Sequence, residues 1–584
     1  MDFLRIGILS LICPSLLAQL AFTEITASSG FVHTESCEGI SIGDFNNDGY
    51  EDIYLPYRNK PNQLWQNLGD GTFRELAREA GLTIGQSPES RTAIWGDIDN
   101  DGYLDLYVGN RQRPDKLFHN EGNGTFTDIS SSAGILQLGN PLSVNMADVN
   151  NDGYLDIYIS NFSSQNVLFL NDGDLTFTNY TLQSGALDIG LAMGSIFFDY
   201  DRDGDADLYL THDGNQPNIL YQNDGTGHFT QVAAATGTNT TSFAMGVDVG
   251  DIDNDGWLDI HIANLYPNFL LHCQGDGTFT EIAHTAGVAD AGMGWGTTFL
   301  DYDNDGWLDL YVANEYQFSP FRNVLFRNQG DLTFAPIDEA DPVCNELASY
   351  GTVSFDYNLD GQPDLAVANR AEGQGFQLFE NQQESGNWLI FKLIGVESNR
   401  QAIGAKIELW DNLGRHHYDE LTAGNGWLSQ NSQLFHFGLG QATSLDSILV
   451  YWPSGLVQVL APIPSNHIYT LIEGREPTPG ISFDIPDVVS TNTSTGLLPP
   501  DWKLFPNPAQ DWVQIHLIAP TYAQQQVHLY SSLGQLLWTE TLRGLPGQDL
   551  YHRLDLKELN LASGLYTLRW SDGIHHSCRR LVIH

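Results

Sequence analysis

The stretch Gly96–Asn110, GDIDNDGYLDLYVGN, carries a nine-residue pattern, D-x-[DN]-x-D-G-x-x-D, that recurs along the chain. Seven copies begin at Asp44, Asp97, Asp148, Asp199, Asp251, Asp301 and Asp356, at spacings of 53, 51, 51, 52, 50 and 55 residues. Each is followed by a second pattern, as in NQLWQNLGDGTFREL from Asn62 and NILYQNDGTGHFTQV from Asn218. Together they give each unit four short alternating apolar segments separated by Gly, Asn and Asp turns. In the second unit these are RTAIWGD, DLYVGN, KLFHN and GTFTDI. Four strands per unit and seven units of this length predict an all-β, seven-bladed β-propeller. A linear solenoid is the alternative.

The ends of the array favour the ring. The seventh unit has its loop, Asp356 to Asp364, and the strands DLAVAN and FQLFEN, but no fourth strand of the G-x-F-x-[DE] type follows. That strand appears instead near the start of the chain as AFTEI, Ala21–Ile25. A chain that opens with the last strand of its last blade closes like a clasp, and a solenoid has no use for this.

The nine-residue loop has its own chemistry. Asp or Asn at positions 1, 3 and 5 places short oxygen-bearing side chains on one side of a tight loop. Gly at position 6 permits the sharp turn, position 7 can offer its carbonyl (Tyr103 in the second copy), and Asp at 9 can close the shell. Several hard oxygen ligands on a flexible loop suit Ca²⁺ better than Mg²⁺, and no Cys or His is present to favour zinc. The proposed ligands are Asp44, Asn46, Asp48 and Asp52; Asp97, Asp99, Asp101 and Asp105; Asp148, Asn150, Asp152 and Asp156; and Asp199, Asp201, Asp203 and Asp207. The remaining loops contribute Asp251, Asp253, Asp255 and Asp259; Asp301, Asp303, Asp305 and Asp309; and Asp356, Asn358, Asp360 and Asp364. An EF-hand would carry Glu at position 12, where the second copy has Val108. Carboxylates this close repel one another unless a cation neutralises them. Extracellular-type sites bind at roughly 10⁻⁴–10⁻³ M. At calcium near ten times such a Kd, each site adds about 1.4 kcal/mol to the folded state, so about one ion per blade reads as structural rather than catalytic. Loops with Asn46, Asn150 or Asn358 carry one charge fewer and are the expected weaker sites, the last also having Gln362 and Pro363 at positions 7 and 8.

Those loops account for much of the acid. The 584 residues hold 25 Lys+Arg against 73 Asp+Glu, a formal net charge of −48. That balance argues against nucleic-acid binding and against docking on an anionic membrane surface. Hydrophobic residues at 41% and aromatics at 11% supply a packed core, so the acid does not signal disorder. Residues 1–18 read as a signal peptide: Arg5, an apolar run from Ile6 to Leu17, then Ala18 and Ala21. A buried N-terminal strand is the structural alternative. Ile12 before Cys13 is too bulky for a typical lipoprotein site, the run is too short to span a bilayer, and no transmembrane segment is expected. Beyond the signal lie Cys37, Cys273, Cys344 and Cys578. Cys37 and Cys344 precede the first and last repeats, neighbours in a closed ring, so they form either a disulfide or two unpaired buried thiols.

The repeat pattern resembles the FG-GAP repeat of integrin α-subunit propellers and its bacterial VCBS relatives, over residues 21–383. The resemblance implies calcium loops on one face and a binding surface made from the other loops. Residues 385–474 contain AIGAKIELW, HFGLGQA and ILVYWPSGLVQVL, a small β domain. Through Gly404, Gly438, Gly440, Trp452, Pro453 and Gly455 it resembles the ASPIC/UnbV domain that follows such propellers in the cartilage acidic protein family. Residues 475–503, rich in Pro, Ser, Thr and Asp, read as a linker. Residues 504–584, with PNP at Pro506–Pro508, LYSSLGQ and a GLY segment, resemble the type A sorting domain of the type IX secretion system, a C-terminal β-sandwich. An ordinary β-sandwich is the structural alternative. The resemblance implies partnership with the type IX machinery and export through the periplasm to the surface or outside.

No catalytic constellation is present: GxSxG and HExxH are absent, and the paired carboxylates are assigned to calcium. Asn recurs five residues after the last loop Asp at Asn110, Asn161, Asn264, Asn314 and Asn369, read as strand-end hydrogen bonding, with Tyr57 and His212 departing from it. His212 is a candidate ligand contact. The leading expectation is a secreted or surface-displayed adhesion module for an extracellular polysaccharide or protein. Alternatives are an extracellular lyase or hydrolase with its site in the propeller channel, or a display scaffold; fold does not decide among them.

Overall fold

The computed structural model describes residues 20–482, apart from 32–34, 84, 86, 87, 317–319, 384 and 385. Beyond these it describes the strands between 502 and 583 with residues 556, 557 and 559. The expected signal peptide, most of the expected linker and the PNP motif lie outside the described residues.

Among the described residues the repeats form seven sheets: five are antiparallel with their strands in chain order, the seventh takes its edge strand from Phe22–Glu24, and the first adds Ser429–Gln430 in parallel beside its first strand. In the second blade these are Ser90–Gly96, Asp105–Asn110, Lys116–Asn120 and Phe126–Asp128. The second strand, DLYVGN, is buried throughout, since both faces meet a neighbouring sheet. The fourth strand buries Phe126 and exposes Thr127 and Asp128, as an outer edge should. The core lies between blades: Phe45, Tyr54 and Leu64 of the first meet Trp95, Leu106 and Phe118 of the second. Each large side chain so buried contributes about 1.5–3 kcal/mol.

The ring closes as the chain ends indicate. Phe22–Glu24 adds to the edge of the seventh blade, antiparallel to Phe376–Asn381, with Phe22 opposite Asn381 and Glu24 opposite Phe379. Asp341 Oδ2 accepts the Ala21 and Phe22 N–H groups at 2.6 and 3.2 Å. The first strands of the first and seventh blades pack together, so the solenoid alternative falls. The Cys37–Cys344 disulfide is not formed, and both thiols are free and buried. Cys37 packs with Ile40 and Phe376 and directs its thiol to the Gly39 carbonyl at 3.1 Å, whereas Cys344 sits in a different apolar cluster with Tyr311 and Leu325. Burial pushes the Cys37 thiol up to about 12.

Two further four-stranded sheets follow. One orders Phe435–Gly440, Asn387–Ile394, His467–Ile472 and Thr478–Pro479; the other orders His416–Glu420, Lys406–Asp411, Leu445–Tyr451 and Val457–Leu460. They enclose Leu389, Phe391, Ile407 and Val450. The C-terminal part has a three-stranded and a four-stranded sheet around Val513, Ile515, Val527, Leu529 and Leu568. No described helix is long and apolar enough to cross a membrane.

Candidate functional site

Each acidic loop joins the first and second strands of its blade, so all seven open on one end of the ring, and the connections between second and third strands lie at the other. Within a loop the carboxylates fold the backbone around themselves. In the second, Asp97 accepts the N–H groups of Asp101 and Gly102 at 3.1 and 2.8 Å. Asp101 accepts that of Tyr103 at 2.8 Å, and Asp105 that of Ile98 at 3.0 Å. The other loops repeat this scheme, as at Asp251 with Gly256 and Asp356 with Gly361. The remaining oxygens converge. Ligand atoms of Asp97, Asp99 and Asp105 lie within 4.8 Å of one another, as do those of Asp199, Asp201, Asp203 and Asp207. The same holds for Asp251, Asp253 and Asp255 and for Asp301, Asp303 and Asp309, and each group could hold a metal ion. These are the four loops with Asp at position 3. In the other three the position-3 amide turns onto position 5: Asn46 to Asp48 at 2.8 Å, Asn150 to Asp152 at 2.9 Å, Asn358 to Asp360 at 3.0 Å.

Confinement shows in the proton affinities. Burial first, then neighbouring Asp105, pushes Asp97 up to about 8. Burial, then Asp199, Asp201 and Asp203, pushes Asp207 up to about 10. Burial takes Asp44 and Asp148 up to about 6, and Asp301 and Asp309 rise well above the carboxylate range.

Two positions missed in the sequence tie the loops into a ring. Position 4 takes left-handed backbone in every loop, as at Asn47 (φ 58°) and Asn254 (φ 58°). In five loops its side chain reaches the next loop's glycine carbonyl: Asn47 to Gly102, Asn100 to Gly153, Arg202 to Gly256, Asn254 to Gly306 and Asn304 to Gly361, all at 2.9 Å, while Asn151 donates to Asp205 at 2.9 Å. The Asn that ends the third strand of six blades (Cys273 stands there in the fifth) reaches back instead. Asn120 donates to the Phe45 carbonyl and Asn67 to the Tyr357 carbonyl at 2.8 Å, the latter across the closure. Asn tolerates the left-handed region, and its recurrence at position 4 was the available signal.

The Asn residues five past each loop do make strand-end bonds, Asn110 to the Pro114 carbonyl and Asn161 to the Gln165 carbonyl, both at 2.9 Å. His212 is 1% exposed and faces Asp188 at 3.3 Å, so it offers no ligand contact.

The second domain sits on the loop end. Arg400 N–H donates to Asn100 at 2.7 Å, Lys406 pairs with Asp199 at 2.7 Å, Arg415 donates to the Asp305 carbonyl at 2.7 Å, and His436 meets the Gly361 carbonyl at 3.1 Å. From it the segment Ala423–Asn431 enters the channel and touches first strands around it. Asn145 donates to the Gly424 carbonyl at 2.8 Å, Gly426 N–H to the Val247 carbonyl at 2.8 Å, and Gln430 accepts the Trp95 N–H at 2.7 Å. Ser429–Gln430 pairs parallel with Ile40–Ser41. Gly424 (φ 89°) could not be larger, since a Cβ there would lie 2.4 Å from the Val144 carbonyl. Beyond it Trp427 packs with Met193, Met245, Tyr350 and Leu142.

Fold and loops together define a repeat-built β-propeller, closed by its own N-terminal strand, capped at its acidic end and followed by a secretion tail. The chain belongs to the FG-GAP-like repeat family, whose model matches 44–108, 97–159, 148–210, 199–262, 251–312 and 301–367. The ASPIC and UnbV model matches residues 395–478, and a secretion system C-terminal sorting domain matches 503–584, pointing to type IX export to the surface or outside. Cartilage acidic protein 1 of Homo sapiens is 28% identical over 244 residues, 39% of this chain and 36% of that protein. The Mus musculus protein is 29% identical over 205 residues, 33% and 31%. The match thus spans about a third of the length of these relatives. A solved structure of YCF48 bound to D1 peptide aligns at TM-score 0.40 and 10% identity, over 64% of this chain and 100% of that one.

Proposed function

We propose that the chain is a secreted or surface-displayed binding module whose open propeller face recognises an extracellular polysaccharide or protein, with calcium as the structural cation of its loops. The observation that carries the binding reading is the cap. The second domain covers the loop end and Ala423–Asn431 fills the channel, which leaves the opposite face as the propeller's open end. Large exposed apolar side chains lie on that face: Leu138 (70%), Ile189 (73%) and Tyr266 (60%), in connections of separate blades. Half-buried Phe243 is in T-shaped contact with Tyr266 at 5.8 Å. Exposed apolar area of this kind marks interaction surfaces. A filled channel also removes the cavity that a channel-centred enzyme would need.

The loop residues fit calcium. Their donors are oxygens, three or four carboxylates converge in each of the four loops with Asp at position 3, and burial makes their charge costly without a cation. The domain boundaries at 21–383, 385–474 and 504–584, after signal cleavage, complete the proposal. The test is a glycan and protein binding screen on the calcium-loaded protein beside a Tyr266→Ser, Leu138→Ser variant. Binding that the variant loses supports the reading. Binding that the variant keeps moves the site elsewhere, and turnover of a bound glycan would replace the module with an enzyme.

A further inference from the structure

The next-to-last residue of each third strand faces the acidic loop of its own blade. It is Gln66, His119, Leu170, Gln222, His272, Arg327 and Glu380 along the ring. Several of these touch loop carboxylates, as Gln222 does with Asp201 at 2.7 Å and His272 with Asp253 at 3.0 Å, whereas Glu380 accepts from the Tyr357 hydroxyl at 3.0 Å. Only Arg327 brings a permanent positive charge. Its Nε donates to Asp303 Oδ2 and its terminal nitrogen to Asp305 Oδ2, both at 2.6 Å.

We infer that Arg327 is a resident counter-cation of the sixth loop, so that this loop ranks with the three-carboxylate loops in calcium affinity despite its four aspartates. A guanidinium spans two carboxylates as a rigid fork and cannot lose its proton, so the charge it supplies is permanent. It engages positions 3 and 5, two of the four side chains a calcium ion would need, and lowers the loop's net charge by one. Ligand charge count is a main determinant of affinity in oxygen-donor calcium loops. A second guanidinium reinforces it: Arg415 of the cap donates to the Asp305 carbonyl at 2.7 Å while paired with its own Asp411 at 2.8 Å. The fourth loop differs. Its cap cation Lys406 pairs with position 1, Asp199, at 2.7 Å, and Glu420 of the same domain accepts the Asp199 N–H at 3.1 Å. There the cap adds a carboxylate along with the ammonium. The sixth loop would therefore be held by arginine where the second, fourth and fifth are held by calcium.

This inference rests on the calcium reading, and one experiment separates the two. Calcium is titrated calorimetrically into the full mature chain, into Arg327→Gln, and into the reciprocal Gln222→Arg, with folding checked by circular dichroism. The expected result is one more tight site in Arg327→Gln, binding about tenfold more strongly than in the parent, and one fewer in Gln222→Arg. Unchanged or weaker binding in Arg327→Gln overturns the inference while leaving the calcium reading in place. If Arg327→Gln does not fold, unchanged binding in Gln222→Arg overturns it equally. No calcium bound by any of the three overturns both.

Discussion

Trp427, carried by the second domain, packs at a tilt of 56° against Trp295 of the sixth blade with ring centroids 4.9 Å apart, and Trp295 in turn lies 4.8 Å from Tyr350 of the seventh. The contact is made by the channel segment itself, beside the first residues of Gly294–Leu300 and Ser349–Phe355 and so toward the end remote from the cap, and the second domain is threaded into the propeller rather than resting on it. Its indole is 2% exposed. Truncation would leave a cavity among Met193, Met245 and Leu142, whose backbones belong to three different blades and cannot all collapse inward.

Trp427→Ala is therefore expected to destabilise the protein by about 3–5 kcal/mol. Denaturant unfolding followed by tryptophan fluorescence would measure it. A loss below about 1 kcal/mol would mean that the channel segment is a passive filler.

The loop carboxylates give the metal-free protein a distinctive pH response. A group whose folded-state pKa is raised favours folding below its unfolded value and loses that contribution as pH rises through the folded one. Asp44 and Asp148 rise to about 6, Asp97 to about 8 and Asp207 to about 10, all through burial first. Stability of the chelated protein is expected to fall between pH 5 and 9, and calcium is expected to offset that fall. Melting curves across this range, with and without chelator, check both halves. A chelated protein as stable at pH 9 as at pH 5 would remove the argument that these groups need a cation.

The repeat, the acidic loops and the clasp at Ala21–Ile25 were legible because each is local: a spacing, a turn glycine, a strand missing at one end and present at the other. The position-4 Asn and the strand-ending Asn were visible as recurrences, but their partners lie in neighbouring blades, which no periodicity names. The placement of the second domain was not legible. Its contacts with the loops pair residues such as Lys406 and Asp199, some 200 positions apart in sequence and matched only by the packed fold. Cys37 and Cys344 stayed open between a disulfide and two buried thiols for the same reason: adjacency of blades does not bring two particular thiols into one cluster.

A buried carboxylate holds the closure from the open end. Glu38 meets Arg370 of the seventh blade at 2.8 Å, Arg58 of the first at 3.3 Å and Arg91 of the second at 3.6 Å. Burial opposes its ionisation, but Arg91, Arg370 and Arg58 outweigh that and hold it below the ordinary glutamate value. Its contribution is thus present above the unfolded pKa, about 4.3, and is lost as pH falls through the lower folded one. Glu38→Gln leaves three guanidiniums without their shared partner and is expected to cost about 3–5 kcal/mol. Limited proteolysis near the N-terminal strand would report a loosened ring before global melting does. Equal protection in parent and variant would assign closure to the strand alone.

Export is the last consequence, and it separates the tail from the rest of the chain. The sorting domain matches residues 503–584, and its strands form sheets of their own around Val513, Ile515 and Leu568, apart from the propeller cores. Deleting residues 504–584 should therefore leave the ring, its closure by Phe22–Glu24 and the channel contact of Trp427 intact while removing the feature that addresses the protein to type IX secretion. In a host with that pathway, the shortened protein is expected to stay cell-associated, with the melting behaviour and calcium response of the parent. Immunoblots of cell, surface and medium fractions measure the first, and thermal unfolding of the purified protein the second. Normal appearance in the medium would mean that the tail does not direct export. A retained protein that no longer folds would mean that residues 504–584 also support the propeller.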